Sequence, residues 1–236
     1  MKLGILGGTF NPVHFGHLRA AEEALELAGL DVILFIPSGN PPLKTEGIAP
    51  ARHRYEMVRL TTRNNPRFDL LDLECRTRKK SYTVETLEKL QKLYPDESLH
   101  FMLGIDAFLD IPNWYMPERL LSLSHFLVFS RPGCRFSDLS VSPYLSVRKK
   151  ILRKLDAGTM TSHAAKLGNG NMVMLLNVSP INISATDIRT RIAQGKSVKY
   201  LLPADVESYI ISHKLYASRK PQDRAVKREC RSKEEI

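Results

Sequence analysis

Short apolar runs alternate with amphipathic segments along most of this 236-residue chain, and this alternation constrains its fold more than any other feature. Apolar runs of a length suited to buried strands occur at residues 2–8, 31–38, 68–74, 98–104, 125–130 and 171–178. Helical periodicity follows most of them, at residues 18–28, 52–62, 83–93, 117–123, 184–193 and 203–213. Strands that alternate with helices predict an α/β protein with a doubly wound parallel sheet.

The stretch from residue 132 to 170 breaks this rhythm, because it contains no run with strand character. Residues 147–155 have the pattern of a basic helix. A connection of this length without secondary structure is unusual in a compact domain. We therefore predict one domain over residues 1–216 with an inserted helical element at 132–170, followed by a basic, disordered tail at 217–236.

The net charge of +10, from 35 lysines and arginines against 25 acids, indicates an anionic partner. It does not choose among nucleic acid, a membrane surface and phosphorylated metabolites. Much of the excess lies in a cluster at residues 148–154 and in the tail, where eight basic residues face four acidic ones from Lys214 to Ile236. We interpret both as solvated surface, with an RNA-binding surface as the alternative that is not favoured.

The cysteine content and the hydropathy indicate the cellular setting. Cys75, Cys134 and Cys230 are far apart and form no Cys-x-x-Cys pair, which argues against a disulfide framework and a zinc knuckle. No apolar run approaches the ~20 residues that span a bilayer. We therefore expect a soluble, cytoplasmic protein with no membrane partner, while the sequence carries no signal for an oligomeric state.

The turn between the first strand and the first helix carries the strongest candidate residues. It reads Gly7-Gly8-Thr9-Phe10-Asn11-Pro12-Val13-His14-Phe15-Gly16-His17. Two glycines let the backbone approach a ligand, and the following helix directs its positive end at an anion. Two histidines three residues apart share one face of a helical turn. The pattern is neither a dinucleotide-binding loop nor a P-loop, and no third metal ligand is evident. Two imidazoles beside a helix start suit phosphate oxygens, and taken alone the segment fits a glycine turn with two surface histidines equally well or better.

A second candidate segment, Ile183-Ser184-Ala185-Thr186-Asp187-Ile188-Arg189, follows the last predicted strand. Its Ser-x-x-acid pattern predicts that a helix begins at Ser184. Thr186 and the first-turn amides would face an anion, and Arg189 could bind it with two parallel hydrogen bonds. The alternative is an ordinary helix cap followed by a solvent-exposed arginine.

Together the two segments resemble the His-x-Gly-His and Ile-Ser-x-Thr-x-x-Arg motifs of a nucleotidyltransferase superfamily, and within it the bacterial nicotinate-mononucleotide adenylyltransferases. The resemblance covers roughly residues 1–134 and 171–216. Its other matching segments are Pro41-Pro42-Leu43-Lys44, Ser81-Tyr82-Thr83-Val84-Glu85-Thr86-Leu87, Gly104-Ile105-Asp106 and Asn113-Trp114-Tyr115.

This resemblance implies a fold and a reaction. The fold is a Rossmann-like nucleotidyltransferase fold with a helical insertion. The reaction is AMP transfer from ATP to nicotinate mononucleotide in NAD biosynthesis, with release of pyrophosphate. Mg²⁺ would accompany ATP, held mainly by the substrate phosphates and not by a protein metal site. Nicotinamide mononucleotide or another phosphate acceptor remains an alternative.

The resemblance also implies residue roles. His14, His17, Lys44 and Arg189 would act on the phosphates of ATP as catalytic residues. The rest of the ATP site would comprise Gly7, Gly8, Thr9, Phe10, Gly104, Asp106, Ile183, Ser184 and Thr186. Nicotinate mononucleotide would be bound by Thr83, Trp114, Tyr115 and Arg131. Many relatives have Pro-Pro-His-Lys where this chain has Leu43, which weakens the expectation of phosphate binding at that position.

Overall fold

The computed structural model describes residues 1–41, 47–76 and 79–217, and over these ranges the chain forms a seven-stranded sheet with helices on both faces. The strands are β1 Lys2–Gly8, β2 Val32–Pro37, β3 Phe68–Leu70, β4 Ser98–Gly104, β5 His125–Phe129, β6 Ser162–Lys166 and β7 Met172–Leu176. Their order is β3-β2-β1-β4-β5-β7-β6, and every neighbouring pair is parallel except β6 and β7. The predicted α/β class is confirmed.

The helices follow the strands largely as the periodicity predicts. They are α1 Phe15–Ala28, α2 Ala51–Thr62, α3 Thr83–Leu93, α4 Ile105–Leu109, α5 Pro117–Leu123, α6 Lys149–Asp156, α7 Ala185–Ala193 and α8 Ala204–Ser212. Two short 3₁₀ helices lie at Ile111–Asn113 and Phe136–Val141. Helix α1 begins three residues earlier than predicted, directly after His14. No helix among the described residues is long and apolar enough to cross a membrane.

The central strands are buried on both faces, and this makes two apolar layers. On one face Ile5 and Phe126 pack in a cluster with residues of α3, α4, α5 and α6. On the other face Phe35 and Leu127 pack with residues of α1, α2 and α8. Burial of this apolar surface, which contributes about 25 cal/mol per Å², fixes the sheet between its helices. The ends of its strands are therefore rigid supports for a site.

The insertion at 132–170 corrects one prediction, because it contains the strand β6. The predicted basic helix is present as α6, and the Asp156 carboxylate accepts hydrogen bonds from the backbone amides of Phe136 and Ser137 at 2.6 and 3.1 Å. The chain then returns to the sheet, where β6 pairs antiparallel with β7 from Ser162↔Leu176 to Lys166↔Met172. An edge strand has one neighbour and needs no apolar run, so its composition gave no signal.

The strand order reverses between β1 and β4, and this places a crevice at their carboxyl ends. Both strands are parallel neighbours, with Leu3 opposite Leu99 and Ile5 opposite Phe101. The chain leaves β1 toward α1 on one face of the sheet and leaves β4 toward α4 on the other. A reversal of this kind is where open α/β sheets bind their ligands. The predicted site residues of the first turn lie at this crevice.

Candidate active site

A cavity of about 710 Å³ opens at the carboxyl ends of the central strands. It extends from the turn between β1 and α1 to the region where α3 and the Ile111–Asn113 helix meet. Most predicted site residues line it: Gly7, Gly8, Thr9, His14, His17, Thr83, Gly104, Asp106, Trp114, Tyr115, Arg131, Ile183 and Ser184. One cavity therefore brings together the predicted ATP and acceptor residues.

The two histidine rings lie against each other at the start of α1, tilted by 34°. His14 is the N-cap residue, and its ring centroid lies 3.8 Å from that of His17. The backbone N–H of His14 donates a hydrogen bond to Nδ1 of His17 at 3.3 Å. Because Nδ1 of His17 accepts, the neutral ring carries its proton on Nε2. That N–H is a donor suited to a phosphate oxygen.

His14 is held in its neutral form. Burial, together with the positive charge of Arg131, lowers the pKa of His14 to about 4. Among the described residues, its Nδ1 has no hydrogen-bond partner although the atom is buried. A buried polar atom without a partner is costly, and a ligand that provides one is favoured. An anion bound here would also favour the protonated imidazole.

The shifted pKa of His14 predicts a loss of folding stability at mildly acidic pH. In the unfolded chain this histidine titrates near 6.5, against about 4 in the folded protein. Between these values only the unfolded state takes up the proton, so the stability is complete above about pH 7 and falls as the pH falls toward 4. The variant His14→Asn keeps a good N-cap residue but does not titrate.

We expect the wild type to lose on the order of 1–2 kcal/mol more than His14→Asn between pH 7 and pH 5. Urea unfolding of both proteins at the two pH values measures this difference. Equal losses in the two proteins would contradict a neutral, buried His14.

The carboxyl ends of β4 and β5 contribute a half-exposed ion pair to the cavity. Nη1 of Arg131 lies 3.2 Å from Oδ2 of Asp106, which stands in the first turn of α4. Gly104 is needed here, because a Cβ at this position would lie 2.3 Å from Cδ of Arg131 and 2.5 Å from Oδ1 of Asp106. The absence of a side chain therefore lets the ion pair lie against the strand end.

Helix α7 begins at the wall of the cavity, where Ile183 and Ser184 line it. Oγ of Ser184 accepts a hydrogen bond from the backbone N–H of Asp187 at 3.0 Å, which confirms the predicted helix start. Thr186 and Arg189 are not among the lining residues in the part of the chain that the structure describes. Arg189 instead donates to the carbonyl oxygen of Asn11 at 2.9 Å and to Oγ1 of Thr186 at 3.3 Å. It joins α7 to the first turn.

Asn11 is the point where several distant segments contact this turn. Its Oδ1 accepts hydrogen bonds from the backbone N–H of Ala49 at 3.0 Å and from the Tyr216 hydroxyl at 2.8 Å. Its Nδ2 donates to the carbonyl oxygen of Gly47 at 2.9 Å. With the contact from Arg189, one asparagine joins the first turn to the segment before α2, to α7 and to the residues after α8. No motif in the sequence points to Tyr216.

Phe10 and Arg54 are two buried residues that contact the turn between β1 and α1. Phe10 has a left-handed backbone (φ 45°), is buried, and lies edge-on to the His17 ring at 5.2 Å without lining the cavity. The Arg54 guanidinium is buried and donates to three backbone carbonyl oxygens, those of Ala49, Thr9 and Gly39, at 2.8–2.9 Å. Sequence patterns missed Arg54, because its partners follow no spacing.

The other end of the cavity is aromatic. Nε1 of Trp114 donates to Oδ2 of Asp110 at 3.0 Å, and the Trp114 ring lies edge-on to Phe101 at 6.4 Å. The rings of Tyr82 and Tyr115 lie 4.7 Å apart. Thr83 is the first residue of α3 and not its N-cap, since Tyr82 holds that position without a side-chain cap. A flat ring with an acidic group would meet aromatic faces and uncapped amides here.

Two predicted elements lie outside the described residues: Lys44 with Leu43, and the tail from residue 218 onward, including Cys230. The described residues hold no group of three or more His, Cys, Asp and Glu side chains that could hold a metal ion. Buried Glu74 also lines the cavity, and the sequence reasoning did not select it.

The fold and the cavity define the class of the protein: an α/β protein with its cavity at the switch point of the sheet, where proteins of this class bind nucleotides. The cytidylyltransferase-like family model matches residues 5–191. A relative in Syntrophotalea carbinolica, named a probable nicotinate-nucleotide adenylyltransferase, is 41% identical over 219 residues, 92% of this chain and 98% of its own. One of the same name in Desulfitobacterium hafniense is 40% identical over 216 residues, 91% of this chain and 95% of its own.

The chain therefore belongs to the cytidylyltransferase-like family, and within it to the nicotinate-nucleotide adenylyltransferases. Its fold is similar to that of the nicotinic acid mononucleotide adenylyltransferase of Plasmodium falciparum solved in complex with NaAD. The TM-score is 0.68 at 20% identity, over 91% of this chain and 97% of that one. The same Plasmodium falciparum protein in complex with APC gives a TM-score of 0.66 at 19% identity, over 91% of this chain and 96% of that one.

Proposed function

We propose that the protein transfers AMP from ATP to nicotinate mononucleotide, forming nicotinate adenine dinucleotide and pyrophosphate in NAD biosynthesis. The observation that carries this function is the single cavity that joins the histidine pair at one end to the aromatic end around Trp114 and Thr83. A reaction between two phosphorylated nucleotides needs both to lie in one crevice with their phosphates in contact. Family membership agrees with this assignment.

The chemistry requires little from the protein beyond position and charge. A phosphate oxygen of nicotinate mononucleotide attacks the α-phosphorus of ATP, and a new P–O bond forms. The bond between that phosphorus and the oxygen that bridges to the β-phosphorus breaks, and pyrophosphate leaves with the electron pair. The nucleophile is already anionic at neutral pH, so no protein base is needed. Donors that neutralise the charge on the transferring and leaving phosphates are needed instead.

We assign these donors from the geometry of the first turn and of α7. His17 offers its Nε2–H from the start of α1, where the helix dipole adds to the attraction of phosphate. His14 lies against it with an unsatisfied nitrogen. Ser184 opens α7 at the cavity wall, and Arg189 lies one turn into that helix. We place the triphosphate of ATP between these two helix ends.

We assign Mg²⁺ to the substrate and not to a protein site. Among the described residues, the two acids that line the cavity are already engaged: Asp106 pairs with Arg131, and Glu74 accepts a hydrogen bond from Thr86. Neither leaves a cage of carboxylates for a hard cation, which prefers several oxygen ligands. Mg²⁺ carried by the ATP phosphates would supply charge neutralisation during the transfer.

The acceptor is tested by pyrophosphate release with nicotinate mononucleotide and with nicotinamide mononucleotide at equal concentrations. Backbone amides near Thr83 and Tyr115 can donate to a carboxylate, whereas a carboxamide also requires an acceptor. We expect a higher kcat/KM for the acid. An equal or reversed preference would contradict the acid assignment, and no release with either would contradict the reaction.

Replacing Arg189 by alanine is expected to raise the KM for ATP about tenfold and to slow transfer, since a charged hydrogen bond is worth roughly 1.5–3 kcal/mol. The guanidinium would be lost from α7, and so would its bond to Asn11. Arg191→Ala is the matched control, because Arg191 lies on the same helix and donates to the carbonyl oxygen of Ser197. Steady-state kinetics with each substrate varied in turn measures the effect, and equal KM values in both variants would refute it.

A further inference from the structure

Glu74 is a buried carboxyl group in the wall of the cavity that the proposed transfer chemistry does not use. It lies four residues after β3 ends at Leu70, and only 9% of it is exposed. It lines the cavity together with Ser81, Tyr82 and Thr83, the residues that lead into α3. A buried acid is rare unless it has partners, so its surroundings indicate what it does.

The carboxyl group accepts a hydrogen bond from a threonine of α3, and two serine hydroxyls lie near it. Oγ1 of Thr86, the fourth residue of α3, donates a hydrogen bond to Oε1 of Glu74 at 2.8 Å. The hydroxyls of Ser38, after β2, and Ser81, before α3, lie close enough to lower the pKa of the carboxyl group. Burial opposes them and raises this pKa more. The Glu74 side chain is thus bonded to the first part of α3 through Thr86.

The backbone of Glu74 packs against the backbone of Gly39, and this contact limits how far Glu74 can move. A Cβ on Gly39 would lie 2.0 Å from the carbonyl oxygen of Glu74, so the two backbones are in direct contact. The carbonyl oxygen of Gly39 in turn accepts a hydrogen bond from Nη2 of buried Arg54 at 2.8 Å. Movement of the start of α3 away from Glu74 would therefore break the hydrogen bond that Thr86 donates.

We propose that Glu74 is a positioning residue for the acceptor nucleotide: it holds the first turn of α3, and hence Thr83, at the end of the cavity that receives the nicotinate ring. This inference rests on the proposed function. Helix α3 begins without a side-chain cap, so its position sets where the amides of its first turn are presented. Neither Thr86, which donates to Glu74, nor the neighbouring Ser38 and Ser81 belongs to the histidine turn or to α7. The effect is therefore on the acceptor and not on ATP.

The test compares Glu74→Ala with Glu74→Gln in the full chain, by steady-state kinetics with each substrate varied in turn. For Glu74→Ala the KM for nicotinate mononucleotide rises about tenfold, the cost of roughly one or two buried hydrogen bonds, while the KM for ATP and kcat stay within about threefold. Glu74→Gln stays within about threefold of the wild type in all three constants. Its amide oxygen accepts from Thr86, and the serine hydroxyls can rotate to accept from its NH₂ group.

A second pair of variants keeps the test valid where Glu74→Ala does not fold. Thr86→Val removes the hydroxyl but keeps the shape, and it raises the KM for nicotinate mononucleotide about fivefold. Thr86→Ser keeps the hydroxyl and restores the wild-type value. Glu85→Ala, which removes an exposed acid from the same turn of α3, is the matched control and leaves both KM values unchanged.

Three results overturn the inference: KM values for both substrates that rise together, a kcat that falls at constant KM, or a Thr86→Val variant that behaves as the wild type. Failure of the proposed function is a different result, because the wild type itself would then release no pyrophosphate with nicotinate mononucleotide. An active wild type with unaffected Thr86→Val and Glu74→Ala variants rejects only the role of Glu74.

Discussion

Replacing His17 by alanine is expected to lower kcat about 100-fold while the protein stays folded. Removal of one donor that stabilises charge developing in a transition state costs about 10²–10³ in rate. The His17 ring is held for this task by the bond from the His14 amide to its Nδ1 and by the edge of Phe10. The hydrogen bond to Nδ1 leaves the proton of the neutral ring on Nε2, and both contacts orient the ring before the substrate arrives.

Stopped-flow or quenched-flow measurement of AMP transfer at saturating substrates separates this effect from weaker binding. His17→Gln provides a graded control, because its amide NH₂ can reach near the position of Nε2 and should recover part of the rate. His163→Ala, in the edge strand β6, removes a histidine far along the sheet order from β1 and should leave kcat unchanged. A His17→Ala variant with near-normal turnover would refute the assignment of His17.

The second large effect is on stability: Arg54→Met should lower the free energy of unfolding by about 3–5 kcal/mol. Methionine retains much of the apolar stem but donates no hydrogen bond. The carbonyl oxygens of Thr9, Gly39 and Ala49 would then each lose a charged donor in a site that is only 1% exposed. Buried acceptors without partners account for most of the expected cost.

Urea unfolding monitored by circular dichroism measures this change. Arg59→Met is the matched control on the same helix, since Arg59 is half-exposed and pairs with Glu56 three residues away. A surface pair of this kind contributes less than about 1 kcal/mol. If both variants unfold at the same urea concentration, the three carbonyl contacts of Arg54 do not stabilise the fold.

The sequence predicted the strands that carry apolar runs and missed the one that does not. β1 and β4 match their predicted bounds, because both are central strands buried on two faces. β6 is an edge strand with a half-exposed, mixed composition, so no hydrophobic pattern marks it. β3 is shorter than predicted, since the chain leaves the sheet after Leu70 and turns toward Glu74. A hydrophobic pattern in the sequence indicates which strands are buried, but it does not indicate which strands pair at the edge of the sheet.

The residues of the candidate site also fall into two groups, those that the sequence predicted and those that it did not. His14, His17 and Ser184 were predicted because they stand in local motifs with a fixed spacing. Glu74 and Arg54 were missed because each acts through single contacts to residues that follow no spacing along the chain. The partner of Arg189 could not be read from its motif either, since Asn11 is 178 residues away. These contacts join residues that are distant in the sequence, and they exist only once the sheet has formed.

The bonds to Asn11 have a consequence for protein synthesis. The amino end of a chain emerges from the ribosome first, so the histidine turn emerges early, together with β1 and α1. Two of the groups that hold Asn11 belong to Arg189 and Tyr216, 178 and 205 residues further on. Contacts this distant form late in folding. A nascent chain can therefore build most of its sheet before the turn that begins it is locked into its final shape.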